Sequence, residues 1–200
     1  MGHPVYISGP HGSGKTTLIE KLLKADLSLC ESSFEIDFLK EFPTISYMTP
    51  YERCVLRTYH RLFVGEYNTR KEGNDIILVS RGIYDSIAYG ATEYALGEMT
   101  KEEYGVLQKI NALGIARRPL TIILNPPVDI ILERLTERRK KGTRKERDIM
   151  CAREDTYEYV KLVHDELEKY KDNADVLYIL DNDKDNIEKV LEWIHTRTKG

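Results

Sequence analysis

Residues Gly9-Pro10-His11-Gly12-Ser13-Gly14-Lys15-Thr16 spell G-x-x-x-x-G-K-T, a spacing suited to holding phosphate. The apolar run Val5-Tyr6-Ile7 before it reads as a buried strand, and Thr17 to Lys24 after it reads as the start of an amphipathic helix. Glycines between a strand and a helix let successive backbone N–H groups fold into an anion nest, and the helix N-terminus adds partial positive charge. Gly9, His11, Gly12, Ser13, Gly14, Lys15, Thr16 and Thr17 would surround the phosphates. Lys15 would reach the β- and γ-phosphates, and the Thr16 hydroxyl would ligand Mg²⁺. The motif implies a site for a nucleoside triphosphate.

Two further segments carry chemistry of group transfer. From Arg138 to Arg147, seven of ten residues are basic, in a chain of net charge −3. A solvated helix end or a nucleic-acid patch is the generic reading of such a run, and part of it would complement a helix dipole. Downstream of a phosphate loop it also suits a mobile lid at about 138–148. Phosphoryl transfer spreads negative charge over equatorial oxygens, which arginine forks stabilise, and a closing lid keeps water from ATP. Arg81 follows the apolar run Ile76-Ile77-Leu78-Val79, and ligand crevices of open parallel sheets lie at the strands' carboxyl ends. Asp37 and Glu41 are candidate bases, required only if the acceptor is a hydroxyl that must lose a proton.

These residues need a scaffold, and the pattern of elements supplies one. Besides the first strand, Ile76–Val79, Leu120–Leu124 and Val176–Leu180 are continuous apolar runs, and Phe34–Leu39 is a weaker one interrupted by Glu35 and Asp37. Such strands separated by helices predict a parallel sheet covered on both faces, an α/β three-layer domain over residues 1–200. Thr49-Pro50-Tyr51-Glu52 and Thr100-Lys101-Glu102-Glu103 are capping boxes, with Gly114 expected to close the second helix. Val128, Ile131, Leu132 and Leu135 share one helical face, as do Ile187, Val190, Leu191 and Ile194, with Trp193 expected at that face's edge.

Two hundred residues, 41% apolar and 32% charged, suit one soluble globular domain. Cys30, Cys54 and Cys151 form no C-x-x-C pair, which favours packing thiols in a reducing, cytoplasmic setting over a zinc site. The first strand begins almost at once, so no signal peptide is expected, and no apolar run suffices to span a bilayer. The net charge gives no general attraction to nucleic acid or to acidic membranes.

The stretch Ser80 to Gly90, S-R-G-I-Y-D-S-I-A-Y-G, aligns without gaps on the D-R-Y-x-x-S-S-x-A-Y-Q motif of thymidylate kinases, matching at Arg81, Ser86, Ala88 and Tyr89. Leu124-Asn125-Pro126-Pro127-Val128 through Arg134, Arg138 and Arg147 resembles that family's fourth strand, lid-leading helix and lid. Tyr157 to Tyr170 resembles its aromatic helix. The chain thus resembles the P-loop nucleoside and nucleotide kinases, most of all thymidylate kinase, with deoxynucleoside kinases as near relatives. The resemblance implies a five-stranded parallel sheet of order 2-3-1-4-5, the P-loop NTPase fold, and a small-molecule nucleotide or nucleoside acceptor. It also implies a possible homodimer. Arg81 would hold the acceptor near the γ-phosphate, Arg144 and Arg147 would be lid arginines, and Glu41 falls where deoxynucleoside kinases carry a glutamate. Arg57, Tyr59, His60 and Arg61 lie on the helix that lines the acceptor pocket, with Arg61 favoured over Arg57.

Departures from the pattern fall mainly on acceptor recognition. Ser80 stands for the motif's aspartate, Gly82 for its tyrosine and Gly90 for its glutamine. The Arg-Glu-Pro segment appears only as Lys40-Glu41-Phe42-Pro43. Gly12 occupies a position that is basic in some thymidylate kinases, which suits a lid that carries the charge; His11 could supply part of it if protonated. A GTPase switch is disfavoured, since neither D-x-x-G nor N-K-x-D follows the relevant strands. A kinase of nucleic-acid 5′ ends and a non-catalytic nucleotide-binding protein are the remaining alternatives.

Overall fold

A computed structural model describes residues 1–33, 43–73, 75–143 and 152–198. Strands β1 (His3–Ser8), β2 (Leu29–Glu31), β3 (Ile76–Ser80), β4 (Thr121–Leu124) and β5 (Val176–Ile179) form one sheet of order 2-3-1-4-5. Every neighbouring pair is parallel, with Val5 opposite Leu78, Ile7 opposite Ile122 and Ile123 opposite Tyr178. The described helices are α1 (Lys15–Ala25), α2 (Pro50–Thr69), α3 (Ile83–Ala95), α4 (Lys101–Ile115), α5 (Val128–Lys140), α6 (Tyr157–Glu168) and α7 (Lys184–Thr198). Short 3₁₀ turns span Pro43–Tyr47 and Ala152–Asp155.

The continuous apolar strands are explained by burial on both sheet faces. Leu18, Ile19 and Leu22 of α1 and Ile187, Val190 and Ile194 of α7 pack on one face against Val5, Ile7, Leu78, Ile122 and Leu124. Trp193 joins the margin of that cluster. Tyr84, Ala88 and Tyr89 of α3 and Tyr159, Val163 and Leu167 of α6 cover the other face around Ile123. Val64 of α2 covers Ile77 and Val79. Complete burial of one such Leu, Ile or Val is worth about 1.5–3 kcal/mol relative to exposure, so the sheet centre is the most stable part of the scaffold. No described helix is long and apolar enough to cross a membrane.

Local signals set the helix starts. In α2 the Glu52 N–H donates to Thr49 Oγ1 (3.2 Å) while the Thr49 N–H donates to Glu52 Oε2 (2.7 Å). Thr100 and Glu103 repeat the exchange at α4. Among the described residues the strand beside β3 is Leu29–Glu31, where Leu29 is buried and registers with Ile76; the expected run Phe34–Leu39 lies outside the described residues. One expectation requires correction: Gly114 does not close α4. The helix continues to Ile115, because Gly114 is a contact point, where a Cβ would lie 2.5 Å from Ile83 Cγ1.

Candidate active site

β1 delivers the phosphate loop at the carboxyl edge of the sheet, and α1 leaves from it. Close approach requires glycine at position 9, where φ is +152° and a Cβ would sit 2.2 Å from the Leu124 carbonyl oxygen of β4. Gly12, at φ +81°, lies against α5: a Cβ would stand 3.0 Å from Leu135 Cδ2 and 3.3 Å from Ile131 Cγ2. A side chain at position 12 would have to displace Leu135 by a few tenths of an ångström and hold a left-handed backbone. Arg134 of α5 donates from Nη1 to the Ser13 carbonyl (2.7 Å). Asn182, beyond β5, approaches Gly14 and is held by Lys21 Nζ (2.5 Å to its carbonyl oxygen). A guanidinium and an amide therefore border the loop's exit into α1.

The buried Lys15 ammonium folds back on the loop and donates to the carbonyls of Gly9 (2.8 Å) and Pro10 (2.7 Å). Burial, with Arg81, Arg61 and Arg138 nearby, lowers its pKa well below the ordinary lysine value, and Asp85 opposes the shift. An anionic ligand would reverse that imbalance, since opposite charge favours the ammonium form. Thr16 and Thr17 are exposed in the first turn of α1.

The β3–α3 connection forms the second half of the site. Arg81 takes φ +70°, a left-handed conformation that costs a non-glycine residue about 1–2 kcal/mol. Its N–H donates to the Ile7 carbonyl (2.9 Å), and its Nη1 donates to Asp85 Oδ1 (3.1 Å). The same Oδ1 accepts the Gly9 N–H (3.3 Å), and Oδ2 accepts the Gly82 N–H (2.9 Å). Asp85 is fully buried. Burial by itself would raise its pKa, but Arg81, Arg61 and Lys15, with the Gly82 N–H, hold it below the ordinary aspartate value. Burial opposes the charge of Arg81, yet Tyr89 and Asp85 keep its pKa raised; its guanidinium lies 5.4 Å from the Tyr89 ring centroid.

From α2, Arg61 Nη1 donates to Ser86 Oγ of α3 (2.5 Å). Desolvation lowers the Arg61 pKa to about 10. Arg57 is 3.9 Å from Glu154, while the Tyr59 side chain is largely exposed. The fold thus brings Arg61, Arg81 and Lys15 around one carboxylate.

His11 points toward another set of partners. Its backbone N–H donates to the Tyr89 hydroxyl (3.0 Å), and Nδ1 lies 3.0 Å from the same oxygen. Nε2 is 3.2 Å from Asp155 Oδ1. Asp155 also pairs with Arg139 at the end of α5 (2.9 Å). Behind it, Tyr159 donates to Glu93 Oε1 (3.0 Å), and Arg153 bridges Glu93 and Glu98. This network ties the loop to the chain on both sides of residues 144–151.

Asp37 and Glu41, and Arg144 and Arg147, lie outside the described residues. Arg138 belongs to the last turn of α5 and acts on Lys15. Sequence reasoning missed Asp85 and Asp155 as site residues. The acid at the third position of α3 was the available signal for Asp85; nothing local marked Asp155. The two glycines that depart from the motif are also packing positions. A Cβ on Gly82 would lie 2.9 Å from Tyr6 Cβ, and one on Gly90 would lie 2.4 Å from Leu107 Cδ2. Tyr6 of β1 therefore occupies the space beside Gly82.

Magnesium needs few protein ligands here, because it keeps several waters and bonds chiefly to substrate phosphates. The exposed hydroxyls of Thr16, in the first turn of α1, and Ser80, at the end of β3, fit that modest demand. Asp85, by contrast, is committed to Gly9, Arg81 and Gly82.

No known family model matches the chain, and no curated protein sequence matches it. Solved structures do. Deoxyadenosine kinase from M. mycoides with products dCMP and a flexible dCDP is 15% identical at a TM-score of 0.69, covering 96% of this chain and 99% of that one. The same enzyme with bound dATP is 15% identical at 0.66, covering 96% and 98%. With bound dCTP it is 16% identical at 0.67, covering 96% and 99%. This chain thus shares the fold of those structures, with its five parallel strands in the order 2-3-1-4-5.

Proposed function

We propose that the chain is a phosphotransferase that moves the γ-phosphate of ATP to a nucleoside or a nucleoside monophosphate. The observation that carries this reading is the gathering of Lys15, Arg81 and Arg61 about Asp85 at the phosphate loop. A protein that merely holds a triphosphate needs the loop and its lysine. A pair of arginines, brought from α2 and the β3–α3 connection, offers an anchor to a second, acceptor molecule.

In this reaction Lys15 binds the β- and γ-phosphates, and Arg81 orients the acceptor oxygen toward the γ-phosphorus. That oxygen forms the new P–O bond as the bond to the β-bridging oxygen breaks and ADP leaves. Arg144 and Arg147 serve as lid arginines. Thr16 would hold Mg²⁺, which would neutralise charge on the phosphate oxygens. A phosphate acceptor arrives as an anion and needs no base. A hydroxyl acceptor passes its proton to a carboxylate, for which Glu41 is the candidate and Asp37 the alternative. The thymidylate kinase-like motif supports a nucleotide, and the fold likeness to deoxyadenosine kinase supports a nucleoside.

ADP release measured against a panel of nucleosides and nucleoside monophosphates tests the proposal. Turnover with at least one member, dependent on Mg²⁺, is expected. ATP binding without turnover of any member would point to a non-catalytic nucleotide-binding protein. For whichever acceptor turns over, Glu41→Gln separates the chemistries: a loss of about 10²-fold or more marks a hydroxyl acceptor, and an unchanged rate a phosphate acceptor. Salt-dependent binding of an oligonucleotide would favour a nucleic-acid terminus as acceptor.

A further inference from the structure

Asp85 touches both halves of the candidate site. Its Oδ1 accepts from the first residue of the phosphate loop, Gly9, and from the side chain of Arg81. Its Oδ2 accepts from Gly82 at the start of α3. Loop and arginine are therefore positioned against a single oxygen atom. Arg81 is also pinned at its other end, through its N–H to Ile7 of β1, which fixes a left-handed backbone that no isolated arginine would hold. With its carboxylate bond made and Tyr89 as a second hydrogen-bond partner, the Arg81 side chain remains 30% exposed.

We propose that Asp85 is a positioning residue and a resident counter-anion: it sets Arg81 and the phosphate loop in common register while neutralising the cations that gather there. The role rests on the transfer reaction only for its effect on turnover; its effect on anion affinity stands apart. The Asp85 carboxylate faces Arg81 on its own connection, Arg61 from α2 and Lys15 from α1, and these hold it ionised despite complete burial. A bound phosphate must share those cations with it. Asp85 thus weakens the grip of the site on phosphate while making its geometry productive.

The sequence supplies a second observation. The motif that Ser80–Gly90 resembles carries its acid at the first position and serine at the sixth. This chain has Ser80 and Asp85, the same two residue types exchanged. The negative charge has moved from the exposed end of β3 into the buried first turn of α3.

The test uses the full chain carrying Asp85→Asn, which removes the charge but keeps an acceptor oxygen for Gly82, and Asp85→Ser, which restores the motif's residue. ADP affinity by calorimetry at low ionic strength, thermal melting, and kcat and KM for the acceptor found in the panel are compared with the parent. ADP should bind about three- to tenfold more tightly, because the cations lose their internal partner. Turnover should fall on the order of 10²-fold, because Arg81 loses its anchor. A purely structural helix cap would lower stability and affinity together. In either folded variant, unchanged or weakened ADP binding would overturn the proposal, as would full turnover. The double variant S80D/D85S should bring ADP affinity back toward the parent and raise turnover at least about tenfold above D85S; no recovery of either would sink the charge-exchange argument. If the parent turns over no acceptor, the transfer reading fails while ADP affinity still judges Asp85.

Discussion

Helices α1 and α3 both begin at the carboxyl edge of the sheet, and both have a glycine at the N-cap, Gly14 and Gly82. Their N-termini are used in opposite ways. The first turn of α1 contains no acidic residue and its cap has no side-chain hydrogen bond. Lys15, Thr16 and Thr17 follow, two of them exposed. The first turn of α3 contains Asp85, whose carboxylate closes back on Gly82 and reaches across to Gly9. One helix withholds its own anion and keeps its first turn free of carboxylate; the other fills the same position internally. A helix N-terminus attracts anions in either case. Where the chain places its carboxylates decides which terminus is left without an anion of its own.

The sharpest way to break this contrast is at the open terminus. Lys15→Ala should reduce phosphoryl transfer by about 10³-fold or more, while the melting temperature stays within a few degrees. Residual turnover above about one percent would show that the α1 terminus holds phosphate without its lysine. Next comes the loop's packing. Gly12→Ala must place a Cβ at φ +81° and 3.0 Å from Leu135. A destabilisation of about 2–4 kcal/mol is expected from the left-handed conformation and overpacking together. That corresponds to a fall of roughly 4–16 °C in Tm for a chain of this size. A neutral substitution would mean that α5 does not press on the loop.

A pH titration gives a subtler test. Because the Lys15 pKa is lowered in the unliganded fold, the unfolded chain binds more protons between that depressed value and the ordinary lysine value of about 10.4. Lys15 therefore makes stability without ligand rise with pH across that window. ADP affinity should fall over the same window, as the ammonium that meets the phosphates is lost. Calorimetry and thermal melting in parallel should show the two opposite slopes; Lys15→Ala should remove this residue's part of both. The smallest effect belongs to a helix start far from either half of the site. Thr100→Ala removes the cap acceptor of Glu103 N–H and should cost about 1 kcal/mol by denaturant unfolding, with kcat and KM unchanged. A change in KM would tie the α4 cap to the acceptor pocket.

Much of the scaffold could be read along the chain. The strands at the sheet centre are continuous apolar runs, and both Thr-x-x-Glu boxes start helices where their spacing says they should. The phosphate loop is eight consecutive residues, so its chemistry is local and visible. The strand Leu29–Glu31 beside β3 was not legible, because three residues give too little periodicity. Gly82 and Gly90 were legible only as departures from the motif; that Tyr6 and Leu107 fill the spaces beside them was not. Arg81 was legible from its place after a strand, whereas its dependence on Asp85 and Gly9 was not.

The amino-acid sequence by itself determined the parallel α/β architecture and the glycine-rich loop proposed to hold a triphosphate, because both follow from short-range periodicity and contiguous residues. Tertiary structure alone decided which charges meet. Asp85 and Gly9 are 76 positions apart, and Arg134 and Ser13 are 121 apart. Their contacts depend on strand order and on how helices settle across the sheet, which no local spacing encodes. The loop was written in the chain; its counter-charge and its walls were set by packing.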